Sequence, residues 1–182
     1  AHLTGVSVKI GNVEYNLRGN LYDCRDNSFN LIAFDRKSTV PYTAAQFEWY
    51  NRAGRNCGRL PWVINNYRYD QMVTGAYGDL IYYVDNVPVG DSVLMYSIGN
   101  ARYSLWPAAA KSKLGELGVS AAQLNALQDG EPVIIYGRKG IAPGTAKFYT
   151  TTELPKNMAV LDTSVTVTGR YSSGSMNSGL IG

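Results

Sequence analysis

Histidine is almost missing from this chain of 182 residues: the single one, His2, stands beside the first residue. A Ser-His-acid or Cys-His nucleophile would have to recruit that terminal imidazole, which argues against catalysis of this kind. A zinc site of the usual His and Cys types meets the same shortage, because there are only two cysteines, Cys24 and Cys57, and neither lies in a paired knuckle. No G-x-x-x-x-G-K-S/T loop occurs. The glycines of GRKGIAPG follow a strand pattern but do not lead into a helical one, so they make no phosphate cradle. Neither a metal nor a cofactor is expected.

Charge is also sparse, at 17% of residues, with 17 basic against 14 acidic side chains and a formal net charge of +3. The basic residues are scattered, and Arg36-Lys37 and Arg138-Lys139 are isolated pairs rather than a stripe that neutralises a row of phosphates. Nucleic acid is therefore not an expected partner. No apolar run approaches the roughly 18 to 20 residues that span a bilayer, and no basic start leads into an apolar signal region, so membrane insertion is not expected either. Ala1 reads as a processing boundary, compatible with a removed secretion signal.

What is abundant is tyrosine, asparagine and glycine: 14 Tyr, 14 Asn and 19 Gly. Short polar side chains and glycine serve turns, and tyrosine packs a half-buried sheet while keeping its hydroxyl wet. This profile suits a β-rich extracellular protein. In an oxidising compartment Cys24 and Cys57 can form a disulfide, worth roughly 3 to 4 kcal/mol by loop closure. Two buried free thiols are the alternative, since sequence does not show their distance. At this length the chain can bury one sizeable core.

The clearest organisation lies between Gly90 and Tyr149. Ser92 to Ile98 and Pro132 to Tyr136 are short β-rich runs. Between them Ser104 can cap a helix with Pro107 in its first turn and Gly118 at its end, carrying an apolar stripe of Leu105, Ala109, Leu114 and Leu117. Ser120 and Gln123 form a capping box for a second helix running to about Leu127. The result is a strand-helix-strand unit long enough for a crossover connection.

Elsewhere, Val6 to Leu17 alternates around a Gly11-Asn12 turn and reads as a hairpin, and Phe29 to Phe34 reads as a strand. Pro41 to Arg59 reads as loop with at most one helical turn. Trp62 to Ile64 is brief and apolar, and Tyr67 to Val84 is mixed, with Asp79 to Val84 its most ordered part. Lys147 to Thr152 is β-prone, Leu154 to Asn157 reads as a turn, and Val160 to Tyr171 alternates as a strand. SSGSMNS (172–178) reads as a linker, after which Leu180 and Ile181 restart an apolar pattern.

Asp79, Asp85, Asp91, Asp129 and Glu131 show no spacing that fixes two carboxyl groups at a glycosidase distance, and read as solvated turn carboxylates. One constellation suits binding. In GNARYSLW, Asn100, Arg102, Tyr103 and Trp106 combine amide and guanidinium donors with aromatic rings, as a sugar or a protein hot spot requires, and Gln128, Asp129 and Glu131 close the same edge. The alternative is that Tyr103 and Trp106 anchor the helix to the sheet.

GDSVLMYSIGN, AAAKSKLGELG and VIIYGRKGIAPGTA together resemble the interleukin-like inducer domain of epithelial-mesenchymal transition, also called PANDER-like: a strand, a helix ending in Leu-Gly, then a strand running into a G-x-K-G turn. NLIAFDR resembles that family's earlier strand, and the likeness covers roughly Val6 to Thr151. DCRDNSFNLIAFDRKSTVPY, CGRLPWVINNY and the closing TVTGRYSSGSMNSGLIG are similar to the bacterial form of the domain in surface proteins of the type IX secretion pathway, upstream of a gingipain-like (sortase-like) cysteine peptidase domain.

The resemblance implies an α+β, β-rich two-sheet fold with short flanking helices. It implies an ILEI-like domain over residues 1–158, with 159–182 a terminal strand and linker or the start of a following β-domain. It also implies a secreted or bacterial cell-surface location, with the catalytic Cys and His of such a protein outside this chain. Two departures bear on function. Carbohydrate-binding relatives carry an acid in the loop after the strand where this chain has Asn100, and two cysteines allow one disulfide at most. The expectation is a noncatalytic interaction module that docks other domains of its own protein or secretion-system and cell-surface proteins. The alternative is a glycan-binding module that stacks a sugar on Trp106 and Tyr103.

Overall fold

The computed structural model describes residues 6–15, 23–50 and 55–167. The protein is mixed α and β, with a six-stranded sheet, a two-stranded sheet and a few short helices. The small sheet is the hairpin β1 (Val8–Ile10) and β2 (Val13–Tyr15), paired from Val8↔Tyr15 to Ile10↔Val13. Gly11 supplies the positive φ of 58° that the two-residue turn needs.

The large sheet contains β3 (Ser28–Phe34), β4 (Asn56–Cys57), β5 (Ile64–Arg68), β6 (Ser92–Ile98), β7 (Ile134–Arg138) and β8 (Lys147–Tyr149). Its order is β4-β5-β3-β6-β7-β8, and every neighbouring pair is antiparallel. β3 lies inside, paired along its whole length with β6, and all seven of its residues are buried. The period of two sends Phe29, Leu31 and Ala33 to one face and Ile32 and Phe34 to the other, and each set joins a separate apolar cluster.

Helices cover the first face: α1 (Tyr69–Val73), α2 (Tyr77–Asn86), α3 (Ala108–Lys113) and α4 (Ala121–Ala126). Their inward side chains, among them Met72, Leu80, Val84, Ala110 and Leu124, pack with Val93, Met95 and Ile135 of the sheet. The hairpin side chains Val8, Ile10 and Tyr15 pack on the other face with Ile64, Tyr96 and Ile98. There Cys24 and Cys57 form a buried disulfide with Cα atoms 4.8 Å apart, so the pair is not two free thiols.

Several elements differ from the sequence expectation. β6 and β7 are antiparallel neighbours, so the helices between them are an excursion over one face and not a crossover. Ser104 does not cap the helix. Tyr103–Leu105 is a separate 3-10 turn, and Trp106 is extended at ψ 135° because the proline that follows disfavours the α region. α3 then starts at Ala108, tightens into a 3-10 turn at Leu114–Leu117 and stops at Gly118, whose φ is 90°. Of the expected stripe, Leu114 and Leu117 are buried, whereas Leu105 is 47% exposed and Ala110 takes the place given to Ala109.

The Ser120–Gln123 capping box forms as read, with the Gln123 amide donating to Ser120 Oγ and the Ser120 amide to Gln123 Oε1. β4 and β5 lie where the sequence suggests loop or little order, and α1 and α2 fall in the mixed segment. Residues 160–167 make no ladder among the described residues, although their side chains alternate between exposed and half-buried as in a strand. The rest of that expected strand, the linker and the apolar restart at Leu180 lie outside the described residues.

Candidate functional site

One end of the large sheet gathers the start of β3, the end of β5 and the end of β6, since Ser28 pairs with both Arg68 and Ile98. The loops leaving these strands are therefore neighbours. Asn27, before β3, has a left-handed backbone at φ 55°, and Arg102, after β6, has one at φ 48°. Asparagine tolerates that region better than most residues; for arginine it is a strained conformation.

Hydrogen bonds hold both loops in place. The Asn100 amide donates to Asn27 Oδ1 at 2.9 Å, the Arg102 amide donates to Asn100 Oδ1 at 3.0 Å, and the Tyr69 amide donates to the Asn27 carbonyl at 2.8 Å. The Arg102 side chain then lies over the Tyr69 ring, with its guanidinium carbon 4.6 Å from the ring centroid. Arg102 is exposed, and among the described residues it makes no ion pair. Nearby acids are engaged elsewhere. Asp70 pairs with Arg68 at 3.0 Å, and Asp129 accepts from the Ser104 amide at 3.0 Å and from Ser104 Oγ at 2.5 Å. What the edge presents is a cation stacked on a ring, with its direction set by the loop.

The structure separates the six sequence candidates. Asn100, Arg102 and Asp129 meet at this edge: Asn100 and Asp129 position the loop, and Arg102 faces solvent. Gln128 is exposed, and its backbone amide donates to Glu131 Oε2 at 2.9 Å. Tyr103 and Trp106 point inward, so the expected sugar-stacking platform does not form. Tyr103 is fully buried and donates to the Glu131 carbonyl at 2.8 Å. Trp106 is 4% exposed and donates to the Ala101 carbonyl at 2.8 Å. Trp106 packs edge-on against Phe29 at 5.0 Å, so both rings anchor the loop to the core.

Of the five carboxylates read as solvated, Asp85 is exposed, whereas Glu131, Asp91 and Asp79 are less solvated than expected. Glu131 is 1% exposed. Burial pushes its carboxyl group upward, but hydrogen bonds from Thr150 and the Gln128 amide, with Lys156 at 3.5 Å, outweigh that and hold it below the ordinary glutamate range. Asp91 is buried and accepts from the Arg36 amide at 3.1 Å and from the Tyr42 hydroxyl. Asp79 pairs with Arg55 at 2.7 Å.

Sequence reading missed Asn27 and Tyr69. A polar run ending in Asp26-Asn27 just before a strand is a usable signal for a left-handed residue. Tyr69 has no such signal, because its role depends on a loop distant in sequence. No protein-family model matches the chain, and no curated protein matches it.

Proposed function

We propose that the chain is a noncatalytic extracellular interaction module, the ILEI-like domain of a bacterial surface protein associated with type IX secretion, and that it docks the larger protein to which it belongs. The observation that carries this reading is Arg102. The loop holds a cation that makes no ion pair among the described residues, in a strained conformation, stacked on Tyr69 and facing solvent. Strain of this kind persists where surrounding contacts over-determine it, and it clusters at binding and switch sites. Arginine backed by an aromatic ring is also a common anchor of protein interfaces. The buried disulfide is compatible with an extracellular protein, and the lone His2 fits the noncatalytic assignment.

Amide hydrogen exchange on the 182-residue chain and on the full-length protein tests the reading. Docking protects loops 25–28 and 99–104 in the full-length protein, and Arg102→Glu removes that protection. Equal exchange in both proteins overturns docking at this edge. A glycan that slows exchange of the same loops in the isolated chain replaces docking with sugar recognition.

A further inference from the structure

The side chains of Asn27, Asn100 and Arg102 offer solvent only hydrogen-bond donors. Both amide oxygens are engaged by the loop backbone: Asn27 Oδ1 accepts from the Asn100 amide at 2.9 Å, and Asn100 Oδ1 accepts from the Arg102 amide at 3.0 Å. Each Nδ2 is the other branch of the same planar group, so it is turned away from the amide that its oxygen binds. Among the described residues neither Nδ2 donates a hydrogen bond, and neither does the Arg102 guanidinium. Asn27 and Arg102 are exposed, and Asn100 is half-buried. The Tyr69 ring covers one face of the guanidinium and leaves its rim of N–H groups open. The Arg102 carbonyl is occupied as well, by the Leu105 amide at 3.0 Å.

A cluster of donors alone selects its ligand. A sugar hydroxyl both donates and accepts, so half of its capacity goes unmet here, whereas an oxyanion only accepts. Charge then decides which oxyanion. Arg68 is balanced by Asp70 at 3.0 Å and Lys156 by Glu131 at 3.5 Å, and Arg25 and Arg102 are matched in number by Asp26 and Asp129 at the same edge. Without an excess of positive charge, the edge suits the single charge of a carboxylate better than the nearly double charge of a phosphate.

We infer that Asn27, Asn100 and Arg102 form a carboxylate-binding site, filled by an aspartate or glutamate side chain on the docked part of the larger protein. The occupant rests on the docking reading; the chemistry rests on the donor set alone. The guanidinium supplies the charge and a fork that matches two carboxylate oxygens, and the two amides supply further N–H groups beside it.

Heteronuclear NMR of the 182-residue chain at neutral pH and low salt tests the chemistry, with acetate, inorganic phosphate and glucose as probes. Acetate should shift the side-chain NH2 signals of Asn27 and Asn100 and the Arg102 Nε–H signal together, with a Kd of roughly 1 to 100 mM, as one exposed ion contact allows. Phosphate should bind no tighter, and glucose should leave these signals in place. Asn100→Asp is the discriminating variant. It keeps the oxygen that accepts from the Arg102 amide, and with it the melting temperature, but puts an anionic oxygen where the NH2 stood. It should weaken acetate about tenfold or more. Asn27→Asp, which keeps the acceptor for the Asn100 amide, should do the same. Acetate binding unaltered in both variants overturns the carboxylate site. So does a lack of acetate shifts up to about 0.5 M, tighter binding of phosphate, or binding of glucose at these signals.

The full-length protein tests the occupant separately. There Asn100→Asp should abolish the exchange protection of loops 25–28 and 99–104. Protection that persists in the variant leaves docking in place and overturns the carboxylate contact. Acetate binding to the 182-residue chain, with equal exchange of these loops in both wild-type proteins, keeps the carboxylate site and overturns docking.

Discussion

The two faces of the six-stranded sheet are held by different means. Over the helix-covered face, burial is broad and apolar, and it includes four tyrosines: Tyr50, Tyr67, Tyr83 and Tyr103. The hairpin-covered face has a smaller cluster, and toward the Ser28 end its apolar side chains give way to amides. Asn66 Nδ2 donates to Ser28 Oγ at 2.8 Å and to Asn30 Oδ1 at 2.7 Å, and Asn30 Nδ2 donates to the Tyr96 carbonyl at 3.3 Å. The Cys24–Cys57 bond joins the loop before β3 to β4 on this side. A hairpin covers less area than four helices, and directional bonds with a cross-link make up the difference.

Alkaline pH should break the helix-covered face first and with the largest effect. Burial pushes all four phenols up, Tyr50 to about 12, whereas an unfolded tyrosine titrates near 10. Because the folded values are raised, the stability is fully present below pH 10 and is lost as pH rises toward the folded values. Well above pH 10 each such tyrosine loses about 1.4 kcal/mol per pH unit; between pH 10 and 11, where the unfolded phenol is still passing through its own titration, each loses about 1 kcal/mol, so four together remove roughly 4 kcal/mol there and more above. Unfolding should begin just above pH 10, with phenolate absorbance appearing together with loss of tertiary structure. Phenolate absorbance that rises before any unfolding would show that these hydroxyls reach water. On the hairpin side Tyr96, also pushed up by burial, adds a single further proton.

Deletions then compare the faces directly. Trp106→Ala should cost about 4 kcal/mol, since it empties a buried site against Phe29 and Tyr103. Replacing both Cys24 and Cys57 with alanine should cost about 3 kcal/mol through loop closure. Asn66→Ala should cost about 2 kcal/mol, because it strips the donor from Ser28 and Asn30 within a buried network. Denaturant midpoints at constant slope measure all three. A cysteine variant as stable as wild type would mean that the hairpin face needs no cross-link, and the contrast between the faces would fail.

Legibility in the sequence follows the same division. β3 reads correctly within one residue and β6 with both bounds, because apolar residues fill positions on both faces. β5 does not, because Asn65 and Asn66 look like turn residues until their buried partners are known. α2 does not either: its interior is rich in tyrosine and β-branched residues, and Ala76 at its start makes no side-chain cap. Residues 160–167 show the limit of alternation, which determines which way side chains face but not whether a neighbour closes the ladder. At the candidate site Arg102 was legible as a polar group on a loop. The direction of the Trp106 ring was not, because an aromatic residue beside an arginine gives the same pattern whether it points outward or finds the Ala101 carbonyl within.

Arg102 should give the smallest effect on stability and the sharpest one on mechanism. Glycine accepts φ 48° freely, so Arg102→Gly removes a left-handed penalty of roughly 1 kcal/mol. Against this stand the lost contact with Tyr69, about 0.5 to 1 kcal/mol for an exposed cation–π pair, and the extra freedom of glycine in the unfolded chain. The sum should lie within about 1 kcal/mol of wild type. Arg102→Ala loses the same contact but keeps the strain, so it should be less stable than the glycine variant by about 0.5 to 1 kcal/mol. Thermal melts of the two variants measure that order. If they melt together, the loop relaxes when arginine is removed, and the side chain's own contact with Tyr69 holds the backbone in the left-handed region. If the glycine variant melts higher, the strain belongs to the loop, imposed through Asn27 and Asn100, and the edge is built to present whatever side chain occupies position 102.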